Sequence, residues 1–119
     1  MDNYKLVHNP RCRKSREAIE FLKFNNLNFE LILYVKIGLE INQIKEIIDK
    51  LSVNPIDLVR TQEKIWKENY KSKKLSNNEI IDLLHEFPNL IKRPIFISKN
   101  KAVVAIPPEQ INKIIQFKL

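Results

Sequence analysis

The stretch that decides the fold is Tyr4–Leu22, YKLVHNPRCRKSREAIEFL. A short apolar run leads into a turn containing asparagine and proline, and then into Cys12, the only cysteine of the chain. The run predicts a strand over about Lys5–His8, and asparagine with proline is typical of a turn. Beyond Cys12, apolar residues recur at helical spacing, which predicts a helix over about Arg13–Phe24. Cys12 is therefore expected where a loop becomes a helix.

The surroundings of Cys12 favour a reactive thiolate. Free amides and the positive end of the dipole at a helix start stabilise an anion, and the thiolate is the form that attacks. Four cationic residues flank the cysteine, namely Arg11, Arg13, Lys14 and Arg16. The alternative is a small buried hydrophobe, but these flanks suit burial poorly. We interpret Cys12 as a nucleophile in an anion-binding site.

Two neighbours are candidates for stabilising that thiolate. His8 can hydrogen-bond the sulfur or a nearby backbone group, and Ser15 can donate its hydroxyl from one helical turn along. Each residue also has a purely structural interpretation. His8 can be a buried histidine of the core, and Ser15 can be an ordinary polar residue in the first turn of a helix. No metal site is expected, because a second cysteine is lacking and the other histidine, His85, falls in a distant helix. We interpret His85 as structural or solvent-facing.

Composition limits the class of protein. The chain has 119 residues, 44% hydrophobic and 29% charged, which suits one globular domain. No apolar run approaches the ~20 residues of a membrane span, and no secretory signal precedes the first strand. A single cysteine excludes an internal disulfide and fits a reducing cytoplasm. The net charge is +7, but the lysines are scattered among glutamates and form no single basic arm, which disfavours nucleic-acid binding. We interpret the excess charge as partly a field for an anionic substrate and partly a solvated, lysine-rich surface.

Apolar patterns predict the remaining elements. Phe29–Val35 is a continuous apolar run typical of a buried strand, and Ser76-Asn77-Asn78-Glu79 matches a capping box before a helix. Further helices are predicted over Glu40–Leu51, 56–59, Lys64–Tyr70 and 77–87. A final helix is predicted to begin at Pro107 and to carry the apolar residues Ile111, Ile114 and Ile115. Two paired strands are predicted over Pro94–Ser98 and Ala102–Ala105. This order predicts an α/β domain in which helices cover a small sheet.

Three segments in this order resemble the glutaredoxin-coupled arsenate reductase family. They are His8-Asn9-Pro10-x-Cys12-x-x-Ser15-Arg16, Leu58-Val59-Arg60-Thr61 and Leu90-Ile91-x-Arg93-Pro94-Ile95. The resemblance implies one thioredoxin-like domain over 1–119, with a small mixed four-stranded sheet, flanking helices and a helical insertion at about 40–88.

The same resemblance implies an oxyanion site. Cys12 would attack an oxyanion such as arsenate, while Arg60 and Arg93 bind it, and Pro94 would be a cis-proline facing the cysteine. With one cysteine, no internal disulfide can release the product, so an external thiol is required. The family uses glutathione and glutaredoxin for this step. The resemblance therefore implies glutathione as co-substrate, glutaredoxin as partner and no bound cofactor.

One departure from the family pattern suggests an alternative function. The family typically has a third oxyanion arginine immediately before Pro107-Pro108-Glu109, where this chain has Ile106. An aliphatic side chain lacks both the charge and the planar donor geometry of arginine. The alternative is a non-catalytic redox or transcription regulator of the Spx type, which binds RNA polymerase. Such regulators commonly have Cys-x-x-Cys, where Ser15 fills the second position here. A Cys-x5-Arg phosphatase loop is disfavoured because Ala18 stands where its arginine would be.

Overall fold

Four short strands form one mixed sheet in the computed structural model, which describes residues 4–115. The strands are β1 (Tyr4–Val7), β2 (Phe29–Ile32), β3 (Ile95–Ile97) and β4 (Ala102–Val104). Their order across the sheet is β2-β1-β3-β4. β1 pairs with β2 in parallel and with β3 antiparallel, and β3 pairs with β4 antiparallel. The small mixed four-stranded sheet predicted from the sequence is thereby confirmed.

Five α-helices and three 3₁₀ helices flank the sheet within the described residues. The α-helices are α1 (Arg13–Phe24), α2 (Tyr34–Ile37), α3 (Ile41–Leu51), α4 (Lys64–Asn69) and α5 (Asn77–Glu86), and the 3₁₀ helices are Pro55–Leu58, Pro88–Leu90 and Pro108–Lys113. The bounds of α1 are those predicted, and the capping box at Ser76 is present with Glu79 as its second member. None of the helices in this part of the chain is long and apolar enough to cross a membrane.

Side-chain alternation along the central strands builds two cores, one on each face of the sheet. Leu6 and Phe96 are register partners, and both belong to the core formed with α1 and the last 3₁₀ helix. Their neighbours Val7 and Ile95 are also partners, and both join the core formed with the helices between β2 and β3. Successive residues of a strand point to opposite faces. β1 is therefore buried on both sides, and its carboxyl end fixes where the loop to Cys12 begins.

The predicted strand over Phe29–Val35 is wrong beyond Ile32. β2 lies at the edge of the sheet, and its pairing with β1 ends at the partners Val7 and Ile32. Beyond Ile32 the chain has no partner strand and forms α2 instead. Gly38 is the C-cap of α2 and has a φ of 75°. Glycine adopts this left-handed conformation without the steric cost of a Cβ. Within α2 only Tyr34 is buried, whereas Val35 is exposed, so the apolar run beyond Ile32 reflects one buried side chain and not a longer strand.

The predicted final helix begins as a 3₁₀ helix over Pro108–Lys113, with Pro107 as its N-cap instead of a first-turn residue. Pro107 and Pro108 have no backbone N–H groups, so neither can donate a hydrogen bond within a helix, and both stand at the start of this one. Ile111 is buried in the core with α1, as expected for the apolar face of this segment. Ile114 and Ile115 follow the 3₁₀ helix and contact the same core.

Candidate active site

Cys12 is the N-cap of α1, at the end of a loop that is fixed from inside by Asn9. The backbone N–H of Cys12 donates to the carbonyl of Asn9 at 2.9 Å. The Asn9 side-chain oxygen accepts from the N–H of Arg11 at 3.0 Å, and the Asn9 N–H donates to Ser15 Oγ at 3.2 Å. Sequence reasoning used Asn9 only as a turn residue. Its buried side chain also sets the conformation of the loop that presents the sulfur.

The surroundings of the sulfur favour its thiolate. Burial would raise the pKa of Cys12, but hydrogen bonding from the Ser15 and Lys14 amides and the nearby Arg93 guanidinium together lower this pKa below its ordinary value. The amides belong to the first turn of α1, where backbone N–H groups have no partner within the helix. The direction of the shift agrees with the sequence-based expectation. The decisive cation, however, is Arg93 and not the flanking basic cluster.

The basic residues that flank Cys12 in sequence are mostly engaged elsewhere. Arg13 and Lys14 approach Glu17 at 3.4 and 3.8 Å, and the Arg16 guanidinium donates to the carbonyl of Pro10 at 2.9 Å. All of these cationic side chains are exposed to solvent. They add positive charge around the entrance, but none of their side chains is among the causes of the pKa shift of Cys12.

Arg60 and Arg93 reach the same region through a short backbone bridge between two loops. Val59 and Ile91 form an isolated antiparallel bridge. On one side of it the Arg60 N–H donates to the Leu90 carbonyl at 2.7 Å. The bridge aligns the two loops, so the two arginines, which are far apart in sequence, enter one site.

A carboxylate not identified from the sequence lies between the two arginines. Glu63 Oε1 accepts a hydrogen bond from Arg60 Nη1 and lies 3.7 Å from Arg93 Nη1. The Arg93 side chain is largely buried, and its Nη1 donates to the Asn89 carbonyl at 2.9 Å. Its Nε is buried without a hydrogen-bond partner among the described residues. Because Arg93 also lines the cleft and a guanidinium carries five N–H donors, it can donate to an anion there in addition to the Asn89 carbonyl.

These residues enclose an open cleft of about 360 Å³. It is lined by Cys12 and Asn9 together with five cationic residues: Arg11, Arg13, Lys14, Arg60 and Arg93. No carboxylate is among the described residues that line it. A nucleophilic sulfur and several guanidinium groups that face the same space can bind a small oxyanion and attack its central atom.

Comparison with known proteins agrees with this arrangement. A sequence profile of the ArsC family matches residues 7–114, which include Cys12, Arg60 and Arg93. The chain belongs to the ArsC family. The Escherichia coli K12 protein YfgD is 34% identical to it over 93% of this chain and 95% of its own length. The arsenate reductase of Haemophilus influenzae is 31% identical over 92% of this chain and 97% of its own length.

The fold agrees equally well with this ArsC assignment. The structure of an arsenate reductase from Vibrio cholerae superposes with a TM-score of 0.90 at 30% identity, and the match covers 95% of this chain and 98% of that one. The thioredoxin-like fold is thereby confirmed. The regulator Spx 2 of Oceanobacillus iheyensis is 24% identical over 94% of this chain and 84% of its own length. ArsC membership assigns the chain to the thiol-dependent oxidoreductases.

Within this ArsC site, His8 and Ser15 lie behind the cysteine and not in its cleft. Burial and the positive charge of Arg16 lower the pKa of His8, and a backbone hydrogen bond with Ser15 only partly opposes them. His8 is therefore neutral at pH 7. The Ser15 hydroxyl accepts from the Asn9 N–H, while the Ser15 amide is the group that acts on the sulfur. The stabilising roles predicted for the His8 ring and the Ser15 hydroxyl stay predictions.

Tyr34 is a buried neighbour of the ArsC site that the sequence did not indicate. It is fully buried, and its hydroxyl donates to the Ile91 carbonyl at 3.4 Å. Burial raises its pKa to about 12, while the charges of Arg93 and Arg60 favour the phenolate and that of Cys12 disfavours it. The tyrosine therefore remains protonated beneath the arginines. No sequence signal separated it from the other apolar residues of its run.

Two predicted positions remain, namely Pro94, expected to follow a cis peptide bond, and Ile106, which replaces the third arginine. The Arg93–Pro94 peptide bond is cis, and so is Ile106–Pro107. Ile106 is 44% exposed and is not among the residues that line the cleft. Its side chain presents a bare apolar surface where the ArsC resemblance implies a third arginine.

Proposed function

We propose that this protein reduces arsenate at Cys12 with electrons from an external thiol. The observation that supports this most directly is the shared cleft. It contains a cysteine with a lowered pKa together with the guanidinium groups of Arg60 and Arg93. We place the reaction in a reducing cytoplasm, because a single cysteine depends on external thiols to complete the cycle.

Oxyanion binding comes first in the proposed reaction. Arsenate enters the cationic cleft, and Arg60 and Arg93 donate to its oxygens. Arg93 is fixed by its bond to the Asn89 carbonyl, so its remaining donors are pre-oriented toward the anion. Arg60 must exchange part of its contact with Glu63 for the substrate. Partial neutralisation of arsenate then lets a negatively charged thiolate approach it.

The chemical steps balance with two external thiols. The Cys12 thiolate attacks arsenic and forms a sulfur–arsenic bond, and an arsenate oxygen leaves as water after taking up protons. Glutathione as thiolate next attacks Cys12 Sγ. The sulfur–arsenic electron pair stays with arsenic, which falls from the pentavalent to the trivalent state. Cys12 is left in a mixed disulfide, which the second thiol, from glutaredoxin, reduces to regenerate the thiolate.

Steady-state reduction of arsenate tests this function. The purified protein is supplied with glutathione and glutaredoxin, and arsenite formation is followed. The wild type is expected to turn over, and Cys12→Ser is expected to lose all activity while it retains the fold, because a hydroxyl at this position is not ionised at neutral pH. Turnover by Cys12→Ser, or none by the wild type with arsenate, would contradict the proposal.

A regulator of the Spx type is the second candidate. Two observations favour it, namely the similarity to Spx 2 and the aliphatic Ile106 in the position of the third arginine. If that arginine is needed for efficient turnover and its longer side chain reaches the cleft, which Ile106 itself does not line, Ile106→Arg should raise the rate of arsenate reduction by up to roughly 10²–10³. A wild type and an Ile106→Arg variant that are both inactive, together with co-purification of RNA polymerase, would favour the regulator.

A further inference from the structure

Arg93 acts on Cys12 from inside the protein, and its guanidinium needs partners that hold it in place. Its side chain is only 7% exposed, and its Nη1 donates to the Asn89 carbonyl at 2.9 Å. Glu63 Oε1 lies 3.7 Å from the same nitrogen. The Asn89 carbonyl engages one nitrogen of a group that carries five N–H donors. A further acceptor without charge would orient this guanidinium without offsetting its charge.

The Tyr34 hydroxyl is a neutral acceptor of this kind. Tyr34 is the first residue of α2, and its side chain is fully buried. Burial raises its pKa to about 12, whereas the charge of Arg93 and a hydrogen bond from its guanidinium act in the opposite direction. The phenol is therefore protonated and uncharged at neutral pH, and the guanidinium beside it retains its full charge.

The hydrogen-bonding capacity of the hydroxyl fits this role. Its proton is directed to the Ile91 carbonyl at 3.4 Å, which is long for a hydroxyl donor. The carbonyl alone therefore satisfies this buried polar group poorly. Both lone pairs of the phenol oxygen are available to N–H donors, and the Arg93 guanidinium supplies such donors.

Tyr34 also links α2 to the loop that carries Arg93. Ile91, whose carbonyl accepts from the Tyr34 hydroxyl, precedes Arg93 by two residues. It also pairs with Val59 in the bridge that aligns the two arginine loops. One phenol thus interacts with the backbone before Arg93 and with the side chain of Arg93. Together these two interactions restrict where the guanidinium can point.

We propose that Tyr34 is a positioning residue of the site, whose hydroxyl accepts from the Arg93 guanidinium and holds it toward the Cys12 sulfur and the anion in the cleft. The inference rests on the proposed function for the reaction that Arg93 serves. Tyr34 is not among the described residues that line the cleft, so it acts through Arg93 and not on the substrate. In this it differs from Glu63, whose negative charge offsets the charge of the arginines it contacts.

A double-mutant cycle between Tyr34→Phe and Arg93→Met tests this role without arsenate turnover. Tyr34→Phe removes the hydroxyl and keeps the buried ring. In the wild-type background it is expected to raise the pKa of Cys12, because a guanidinium without its acceptor spends less time beside the thiolate. In the Arg93→Met background, which lacks the guanidinium, Tyr34→Phe should leave this pKa unchanged. The pKa is measured as the inflection of iodoacetamide alkylation across pH.

Arsenate affinity supplies a second readout. In a titration without any thiol reductant, Tyr34→Phe should bind arsenate about threefold more weakly, the effect of one lost hydrogen bond. Ile44→Val is the matched control, because Ile44 is fully buried in the same core and is not among the described residues that line the cleft. It should lower the thermal stability, as Tyr34→Phe does, and leave both the pKa of Cys12 and the arsenate affinity unchanged.

Three outcomes would overturn the positioning role. The first is a folded Tyr34→Phe variant whose pKa of Cys12 and arsenate affinity equal those of the wild type. The second is an equal effect of Tyr34→Phe in both backgrounds, which would mean that the tyrosine acts independently of Arg93. The third is an equal rise of the pKa of Cys12 in Ile44→Val, which would assign the effect to lost stability.

Two further provisions keep the test decisive. If Tyr34→Phe does not fold, a ring-fluorinated tyrosine in its place keeps the hydroxyl but weakens the oxygen as an acceptor. It should raise the pKa of Cys12 by a smaller amount, and an unchanged pKa would again overturn the role. A protein without arsenate turnover in which Tyr34→Phe acts only when Arg93 is present would contradict the proposed function alone and leave the positioning role standing.

Discussion

Two sets of cations surround Cys12, and they differ in origin and in effect. Arg13 and Lys14 are neighbours in sequence, with side chains 85% and 58% exposed, and both pair with Glu17. Arg93 comes from a distant loop, and its side chain is only 7% exposed. Of these cations, only Arg93 contributes to lowering the pKa of Cys12.

The difference teaches that burial outweighs proximity in sequence. Water and salt screen a charge on an exposed, mobile side chain, whereas a buried guanidinium acts through a medium of lower dielectric constant. The exposed cluster still supplies a field that attracts anions over longer distances. Attraction of anions at the entrance and chemistry at the sulfur thus depend on different cations, and substitutions in each set separate the two effects.

Removal of the buried cation should have the largest effect. Arg93→Met is expected to weaken arsenate binding by roughly two decades, because a charge-assisted hydrogen bond contributes up to about 3 kcal/mol. It should also raise the pKa of Cys12, since a cation that favours the thiolate is lost, and the thiolate fraction at neutral pH should fall. Isothermal titration measures the first effect, and the pH dependence of iodoacetamide alkylation measures the second.

Arg93→Lys is the matched control for this change. Lysine retains the charge but lacks the planar fork, so the pKa of Cys12 should rise less than in Arg93→Met while arsenate binding still weakens. If both variants bind arsenate and alkylate as the wild type does, Arg93 is not part of the site and the comparison between the two sets of cations fails.

The half-buried Arg60 should matter less than Arg93. Arg60→Ala is expected to weaken arsenate binding by roughly one decade, corresponding to about 1.5 kcal/mol for a charge-assisted bond at a partly exposed site. Cys12 alkylation should keep its pH dependence, because Arg60 is not among the groups that shift the pKa of Cys12. Binding as tight as that of the wild type would remove Arg60 from the oxyanion site.

Neutralising Glu63 should strengthen anion binding. Glu63 contacts both Arg60 and Arg93, so its charge competes with the substrate for the same donors. Glu63→Gln keeps a side-chain oxygen for orienting Arg60 but removes the charge, and arsenate affinity is expected to rise about threefold to tenfold. A loss of affinity in the titration would mean that the carboxylate positions Arg60 and does not compete with the anion.

The exposed cations should have the smallest effect. The double variant Arg13→Ala, Lys14→Ala is expected to change arsenate affinity by less than about threefold and to leave the pH profile of Cys12 alkylation unchanged, because exposed ion pairs contribute about 0–1 kcal/mol. The residual effect should disappear at high ionic strength. A rise in the pKa of Cys12 as large as that in Arg93→Met would reverse the conclusion drawn from burial.

Much of the fold was accessible from local sequence patterns. Helical periodicity and the polar turn set the bounds of α1, and the capping box at Ser76 marked the start of α5. The pattern misled at residues 33–35, because apolar content in a short run does not distinguish a strand from a helical turn that buries one large side chain, here Tyr34. Pairing with β1 stops at Ile32, and this limit depends on a partner strand that the run itself does not contain.

Some features of the site were likewise predictable from local sequence, and others depend on the tertiary structure. The sequence by itself determined that Cys12 stands at a helix start, and backbone amides act over one turn regardless of the rest of the fold. The tertiary structure decided which cation faces the sulfur, that Glu63 lies between the two arginines and that Tyr34 lies buried within reach of their charges. These features depend on the Val59–Ile91 bridge, which joins loops distant in sequence. Burial and electrostatic strength are properties of the packed molecule, so no local pattern could assign them.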